Sequence, residues 1–94
     1  MGVTFEWDPR KATANRAKHG VSFEEAMTVF ATPLARIFDD PEHSRREKRE
    51  IILGDSTRRR LLVVCFVERR DCIRIFSARK ATRRERRDYE ENTT

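Results

Sequence analysis

The run LLVVCFV, from Leu61 to Val67, is the longest uninterrupted apolar stretch of this 94-residue chain. A strand with one solvent-facing side alternates apolar and polar residues, so a run that is apolar throughout predicts a central strand covered on both faces. Charged residues make up 39% of the chain and hydrophobic residues 37%, which leaves enough apolar surface for one modest core. We therefore predict a single domain, residues 1–94, built around a sheet.

Further strands are predicted on both sides of this run. Each is a short apolar segment bounded by charged or turn-forming residues. The predicted strands cover residues 5–7, 34–39, 50–54, 60–68 and 72–78. A two-residue turn at Arg69 and Arg70 would align the last two strands. It would bring apolar side chains of both strands onto one face: Leu62, Val64 and Phe66 with Ile73 and Ile75.

The first helix is predicted from its two ends. Asp8 is a favoured N-cap residue, and Pro9 follows it at the first helical position, where a missing N–H has no cost. Gly20 favours the left-handed conformation that ends many helices. We therefore predict a helix from Pro9 to His19.

A second helix should follow at once. Ser22 and Glu25 have the spacing of a capping box, in which each side chain binds a backbone N–H of the other residue. Pro33 would close this helix. Its apolar residues recur with helical spacing and form one stripe that faces a core: Phe23, Ala26, Met27 and Phe30.

A third helix is predicted near the end of the sequence. Thr82 and Glu85 form another capping box, and the helix would reach about Asn92. Ser44 and Glu47 have the same spacing, which allows a short helical turn. The predicted order is β-α-α-β-β-β-β-α, an α+β domain in which helices from both ends cover a mainly antiparallel sheet.

Charge is distributed unevenly along the chain. Residues 1–40 hold five Lys/Arg and six Asp/Glu, a net charge of −1, whereas residues 41–94 hold sixteen and ten, a net charge of +6. A one-sided basic surface indicates a protein that binds a polyanion such as nucleic acid. A merely solubilising surface is the alternative.

Composition also bears on the compartment. No segment approaches the ~20 apolar residues of a membrane span, and the first ten residues lack the apolar core of an export signal. Glu6 stands where a myristoylation motif has Ser or Thr. Cys65 and Cys72 lie in apolar strands, which is typical of free thiols in a reducing cytosol. We expect a cytoplasmic protein with no membrane contact.

Four motifs resemble the BrnT family of type II toxin–antitoxin systems. They are W-D-P, N-x-x-K-H-G-V-x-F-E-E-A, H-S-x-x-E-x-R and S-A-R-x-A-x-x-x-E-R-x-x-Y-E. They occur in the family's order, and the resemblance covers residues 5–92. It implies a RelE-like fold and a bacterial ribonuclease toxin that cleaves RNA and stops growth. It also implies a cognate antitoxin, BrnA, in a 2:2 complex that contacts operator DNA only through the antitoxin.

RNA cleavage without a metal ion needs few protein groups, because the ribose 2′-hydroxyl is the nucleophile. The protein must remove its proton, protonate the leaving 5′-oxygen and stabilise the charge on phosphorus. Arg79, at a strand end beside a helix N-terminus, is the first choice for a phosphate contact, although it could be a surface arginine that pairs with an acid. Arg49 offers a second phosphate contact or an ion pair.

His43 is the natural general acid or base, since imidazole titrates near physiological pH, but it could be an ordinary loop histidine. Glu47 could act as a base or only close its capping box. Tyr89 could donate a proton or stack on a base, or it could anchor the last helix against the sheet. Lys80 and the arginines of that helix should attract the RNA backbone whatever its sequence, and an acidic antitoxin segment could use the same surface. These arginines are Arg83, Arg84, Arg86 and Arg87.

No cofactor or metal is expected. His19 is assigned to a helix end, with Asn15 and Lys18 at the junction of the first two helices. A zinc site from the two histidines and two cysteines matches no recognised spacing.

Two non-enzymatic functions stay open: a nucleic-acid-binding module and a partner-assembly protein. A binding module would expose more aromatics, and here only Trp7 and Tyr89 look free, since Phe66 and Phe76 lie in strands that need core residues.

Overall fold

The computed structural model describes residues 2–43 and 46–93, with the side chains of His43 and Thr93 outside that description. Three α-helices and one short 3-10 helix surround a five-stranded sheet. In chain order the elements are β1 (Thr4–Glu6), α1 (Pro9–His19), α2 (Phe23–Val29), β2 (Arg36–Asp39), the 3-10 helix (Pro41–His43), β3 (Arg49–Asp55), β4 (Leu61–Arg69), β5 (Cys72–Lys80) and α3 (Arg83–Thr93). The predicted α+β order is confirmed.

The sheet has the strand order β1-β5-β4-β3-β2. The β2–β3, β3–β4 and β4–β5 pairs are antiparallel, and only β1 runs parallel to its neighbour, β5. The apolar run that predicted a central strand lies in β4, the middle strand of the five. It is covered on both faces, because α1 and α2 pack on one side and α3 packs on part of the other.

The larger core lies between the sheet and the first two helices. Phe23 and Ala26 of α2 are fully buried there, and Met27 and Phe30 pack against them, so the predicted stripe is confirmed. The strands contribute the residues that were predicted to share one face: Leu62, Val64, Phe66, Ile73 and Ile75. Trp7, predicted to be free, is instead half-buried and packs edge-on against Phe23 with the ring centroids 5.7 Å apart.

The ends of α1 are as predicted. The Asp8 carboxylate accepts from the backbone N–H of Arg10, and Gly20 ends the helix at a φ of 70°. Asn15 ties α1 to the sheet, because its side-chain amide donates to the Val21 and Ala78 carbonyls and accepts from the Ala78 N–H, at 2.8–3.1 Å. Asn15 thus holds the junction of the two helices, as predicted. It also binds the β5 backbone at Ala78, past the segment of β5 that pairs with β1.

The capping box at the start of α2 is only half formed. Ser22 Oγ accepts from the Glu25 N–H at 3.0 Å, as predicted. The Glu25 carboxylate, however, accepts from the Ser56 hydroxyl and from the Arg60 guanidinium. Glu25 is only 5% exposed, so it needs these distant charged and polar partners more than it needs a helix N–H.

Several predicted boundaries shift by a few residues. The β4–β5 turn lies at Arg70 and Asp71 rather than at Arg69 and Arg70, since Arg69 pairs with Cys72. A positive φ of 51° at Arg70 provides the reversal that no glycine supplies. Helix α2 ends at Val29, before Pro33. A 3-10 helix occupies 41–43, and the Ser44 part of the proposed turn lies outside the described residues.

Helix α3 packs on the opposite sheet face but covers only one end of it. Its Tyr89 is buried with Leu53, Leu61 and Val63 in a smaller second core. The remainder of this face is not covered by a helix of the described chain, and we call it the open face. No helix among the described residues has the length and apolar character that crossing a membrane requires.

Candidate active site

The open face contains a cavity of about 320 Å³ that is lined by β3, β4 and β5 and reached by one side chain of α1. Its polar lining comes from separate elements: Lys11 from α1, Asp40 after β2, Arg49 from β3 and Arg79 from β5. The other lining residues are Ile51, Val63, Cys65, Phe76 and Ser77. Among the residues that the structure describes, three cations and one carboxylate therefore line this cavity, which is an arrangement suited to an anionic substrate.

A β-bulge in β5 decides which side chains reach this cavity. Ser77 pairs with Cys65 and Ile75 pairs with Phe66, so Phe76 is an extra residue in the ladder. With unbroken alternation, Arg79 would share the core-facing side of Ile75. The bulge reverses this, so that Ala78 is buried in the core and Arg79 lies on the open face. Bulges often re-aim side chains beside functional sites in this way.

Arg79 is held by Glu85 of α3. Its two terminal nitrogens donate to the two carboxylate oxygens at 2.8 and 2.9 Å, and Nη1 also approaches the Lys80 carbonyl at 3.3 Å. Glu85 completes the predicted capping box with Thr82, since each side chain accepts from the backbone N–H of the other residue. Mainly because of Arg79, the pKa of Glu85 is lowered to about 2.

Asp40 is the cavity's carboxylate and is 9% exposed. It immediately precedes the 3-10 helix that contains His43. The Cys65 thiol points at its Oδ2 with a separation of 3.7 Å. Burial, followed by the nearby charge of Asp40, raises the pKa of Cys65, so the thiol keeps its proton and can act as a donor to the carboxylate.

Arg49 and Lys11 approach the same aromatic ring. The Arg49 guanidinium carbon lies 4.0 Å from the centroid of Phe76, and Lys11 Nζ lies 5.2 Å from it. Arg74 is more distant, at 6.0 Å. Phe76 is only half-buried, unlike Phe66, because it follows the core residue Ile75 and therefore faces the other side of the sheet. The sequence groups Phe76 with Phe66 as residues of strands that need core side chains, but only Phe66 lies in the core.

Glu47, a predicted catalytic residue, does not line the cavity. Its carboxylate accepts two hydrogen bonds from Arg69, both of 2.6 Å, and Arg69 also reaches Glu6. The hydrogen bonds from Arg69 lower the pKa of Glu47, which makes it a weaker base. Glu47 thus belongs to a charge network at the far end of β4.

Tyr89 lies apart from the cavity as well. It is 7% exposed, and its hydroxyl donates to the Leu34 carbonyl at 3.2 Å. Burial raises the pKa of Tyr89, which makes the phenol a weaker acid. This position matches the anchoring interpretation of Tyr89 better than the proton-donor interpretation.

The remaining predicted site residues are exposed outside the cavity lining or have side chains outside the described residues. Lys80, Arg83, Arg84 and Arg87 are exposed at the end of β5 and along α3. The His43 side chain lies outside the described residues, although its backbone is three residues beyond Asp40. Sequence reasoning missed Lys11, Asp40 and Phe76. Only Asp40 carried a signal, because it stands just before the H-S-x-x-E-x-R motif.

The described residues contain no group of three or more His, Cys, Asp or Glu side chains placed to hold a metal ion. Cys65 and Cys72 are both free thiols. Cys65 lines the cavity, whereas Cys72 begins β5 at the far end of the sheet, next to the turn.

Comparison with known proteins agrees with this architecture. The family model described as the ribonuclease toxin BrnT of type II toxin–antitoxin systems matches residues 7–85. The fold is similar to the crystal structure of the Brucella abortus ribonuclease toxin BrnT, with a TM-score of 0.68 and 21% sequence identity over 86% of this chain and 99% of that one. A search of curated proteins found no match. The chain belongs to the BrnT family of ribonuclease toxins from type II toxin–antitoxin systems.

Proposed function

We propose that this toxin is an endoribonuclease that needs no metal ion and that the open-face cavity is its active site. The observation that carries the proposal is the convergence of Lys11, Arg49 and Arg79 on a cavity that Asp40 also lines. Cationic side chains can supply the charge stabilisation for phosphoryl transfer, and the 2′-hydroxyl supplies the nucleophile. Family membership makes RNA the target and an antitoxin the partner.

The three cations would stabilise the phosphorus centre as negative charge builds up on its oxygens. Arg79 is the best placed, because Glu85 fixes the orientation of its guanidinium. Three of its five N–H groups are used within residues 2–43 and 46–93, so the Nε–H and one Nη2–H remain for phosphate oxygens. The α3 N-terminus itself is occupied by the Glu85 carboxylate, so phosphate would bind through Arg79 rather than to the helix end.

Proton transfer is assigned to Asp40 and His43. Asp40 would accept the 2′-hydroxyl proton as the 2′-oxygen bonds to phosphorus. His43 would donate a proton to the departing 5′-oxygen. The products are a 2′,3′-cyclic phosphate and a 5′-hydroxyl. The Cys65 thiol would orient the Asp40 carboxylate through its S–H.

Glu47 and Tyr89 would then have supporting roles. Glu47 holds the far end of β4 through Arg69, and Tyr89 anchors α3 and with it Glu85. Four exposed cations next to Arg79 would hold the RNA strand through its phosphates, with the steep salt dependence of such contacts: Lys80, Arg83, Arg84 and Arg87.

The assembly is also a proposal. We expect a cytoplasmic 2:2 complex with a BrnA-like antitoxin, which contacts operator DNA only through the antitoxin. Light scattering of the co-expressed complex on a sizing column would give its mass. A mass corresponding to one toxin and one antitoxin would contradict this stoichiometry.

Cleavage of single-stranded RNA in the presence of EDTA tests the proposed function. Purified toxin, freed of antitoxin, should cleave the RNA, and Arg79→Ala and Lys11→Ala should each be at least tenfold slower. Arg10→Ala is the matched control, since this α1 arginine has a side chain 96% exposed and lies outside the cavity. Retarded but intact RNA would instead support a binding module, and a requirement for added metal would overturn metal independence.

A further inference from the structure

Phe76 is the only aromatic side chain among the described residues that line the cavity. Phe76 reaches the cavity by ordinary strand alternation, opposite the core residue Ile75, and the bulge then brings Arg79 to the same face, so an apolar ring and a cation stand three residues apart on one strand. A flat apolar surface beside cations is the chemistry that recognises a nucleotide, because the base has a π-face and the backbone has a charge.

The contacts of the ring point the same way. Arg49 lies over the ring at 4.0 Å from its centroid, and Lys11 lies 5.2 Å from it. A guanidinium stacks through its face and donates hydrogen bonds in its plane. A base that joins this stack would contact the ring or the guanidinium through its own π-face.

We infer that Phe76 and Arg49 form a stacking subsite for one unpaired RNA base, which makes single-stranded RNA the substrate class. The inference rests on the proposed function, since it assigns a specificity element to the same cavity. A paired base is stacked on its neighbours and cannot reach a cavity in the sheet, whereas a base in a single strand or loop can be splayed out.

Binding of a single-stranded 2′-O-methyl RNA pool, followed by fluorescence anisotropy in EDTA, tests this directly. Methylation blocks the nucleophile, so binding is measured without cleavage. We expect Phe76→Leu to weaken binding about tenfold, the size of one lost stacked base, and Phe76→Tyr to restore it. Duplex RNA should bind more weakly than the single strand, with no further effect of Phe76→Leu.

Two further readouts separate stacking from charge and from general damage to the sheet. Phe76→Leu should leave the slope of log affinity against log salt unchanged, whereas Lys11→Ala should make it less steep. Only the lysine neutralises a phosphate and so releases counterions from the RNA. Phe38→Leu is the matched control: it is the same substitution at a 46% exposed phenylalanine that does not line the cavity.

The inference is overturned by unchanged single-strand affinity in Phe76→Leu, by an equal loss in Phe38→Leu, or by preference for the duplex. Failure of the proposed function is distinguishable from these results. If single strands bind in a Phe76-dependent way but unmodified RNA is never cleaved, the subsite stands and the nuclease mechanism falls.

Discussion

Arg79 and Glu85 meet through two parallel hydrogen bonds, Nη1 to Oε1 at 2.8 Å and Nη2 to Oε2 at 2.9 Å. The same carboxylate accepts from the Thr82 N–H at the start of α3. One ion pair therefore joins the end of β5 to the last helix and also orients the arginine that lines the cavity. Stability and site geometry depend on the same carboxylate.

The first prediction concerns acid stability. The pKa of Glu85 is lowered to about 2 in the folded state, chiefly by Arg79. Its contribution to stability is complete above the unfolded value near 4.5 and is lost as the pH falls towards 2. Between pH 5 and pH 2, we expect wild type to lose about 1 kcal/mol more unfolding free energy than Glu85→Gln, a value reduced for solvent screening because a third of the side chain is exposed.

Urea denaturation at several pH values measures this difference. Glu90→Gln is the control, because it removes an exposed carboxylate of the same helix that lies 3.9 Å from Arg86. Identical acid dependence in wild type and Glu85→Gln would show that the Arg79 pair contributes nothing to stability.

The second prediction concerns Asn15, which is 7% exposed. Its Nδ2 donates to the Val21 and Ala78 carbonyls. Asn15→Asp would replace this donor with an oxygen facing two carbonyl oxygens, so we expect a loss of about 3 kcal/mol or more at neutral pH. The same change at Asn92, which is exposed and donates to Asp88, should cost well under ~1 kcal/mol. Comparable urea midpoints for the two variants would contradict this account of Asn15.

Local signals could be read from the sequence where both partners lie within a few residues of each other. Asp8 with Arg10 and Thr82 with Glu85 form as their spacing predicts. The Ser22 box forms only by half, because Glu25 binds Arg60, which is 35 residues away. A local spacing rule contains no information about such a distant competitor.

The site was harder to predict than the elements. Arg49 and Arg79 were selected for their charge, and both line the cavity. Phe76 was not selected, because it was grouped with residues of strands that need core side chains, and Lys11 could not be found, because the docking of α1 brings it to the cavity. Glu47 was selected through a sequence motif, but the strand register places it beside Arg69. Residue type indicated the chemistry, whereas the register decided which side chains meet.

The third prediction concerns the larger core. Phe23 is fully buried and Phe66 is 2% exposed. Phe23→Ala or Phe66→Ala should lower the free energy of unfolding by ~3–5 kcal/mol, enough to unfold much of a domain this small. Circular dichroism during urea titration would report it. Phe38→Ala, at an exposed edge position, should cost far less, and an equal cost would mean that the core is assigned wrongly.

The last prediction separates two roles of Asp40. As a base it must be a carboxylate, whereas as an acceptor for the Cys65 thiol it could be replaced by asparagine, whose amide oxygen also accepts. Asp40→Asn should therefore keep the fold and the affinity for 2′-O-methyl RNA, yet cleave unmodified RNA about 10²–10⁴-fold more slowly. Asp39→Asn is the control, because Asp39 is exposed and lies 3.4 Å from Lys48. Wild-type cleavage by Asp40→Asn would leave Asp40 only its role as an acceptor for the Cys65 thiol, and a loss of RNA affinity would mean that it shapes the cavity instead of removing a proton.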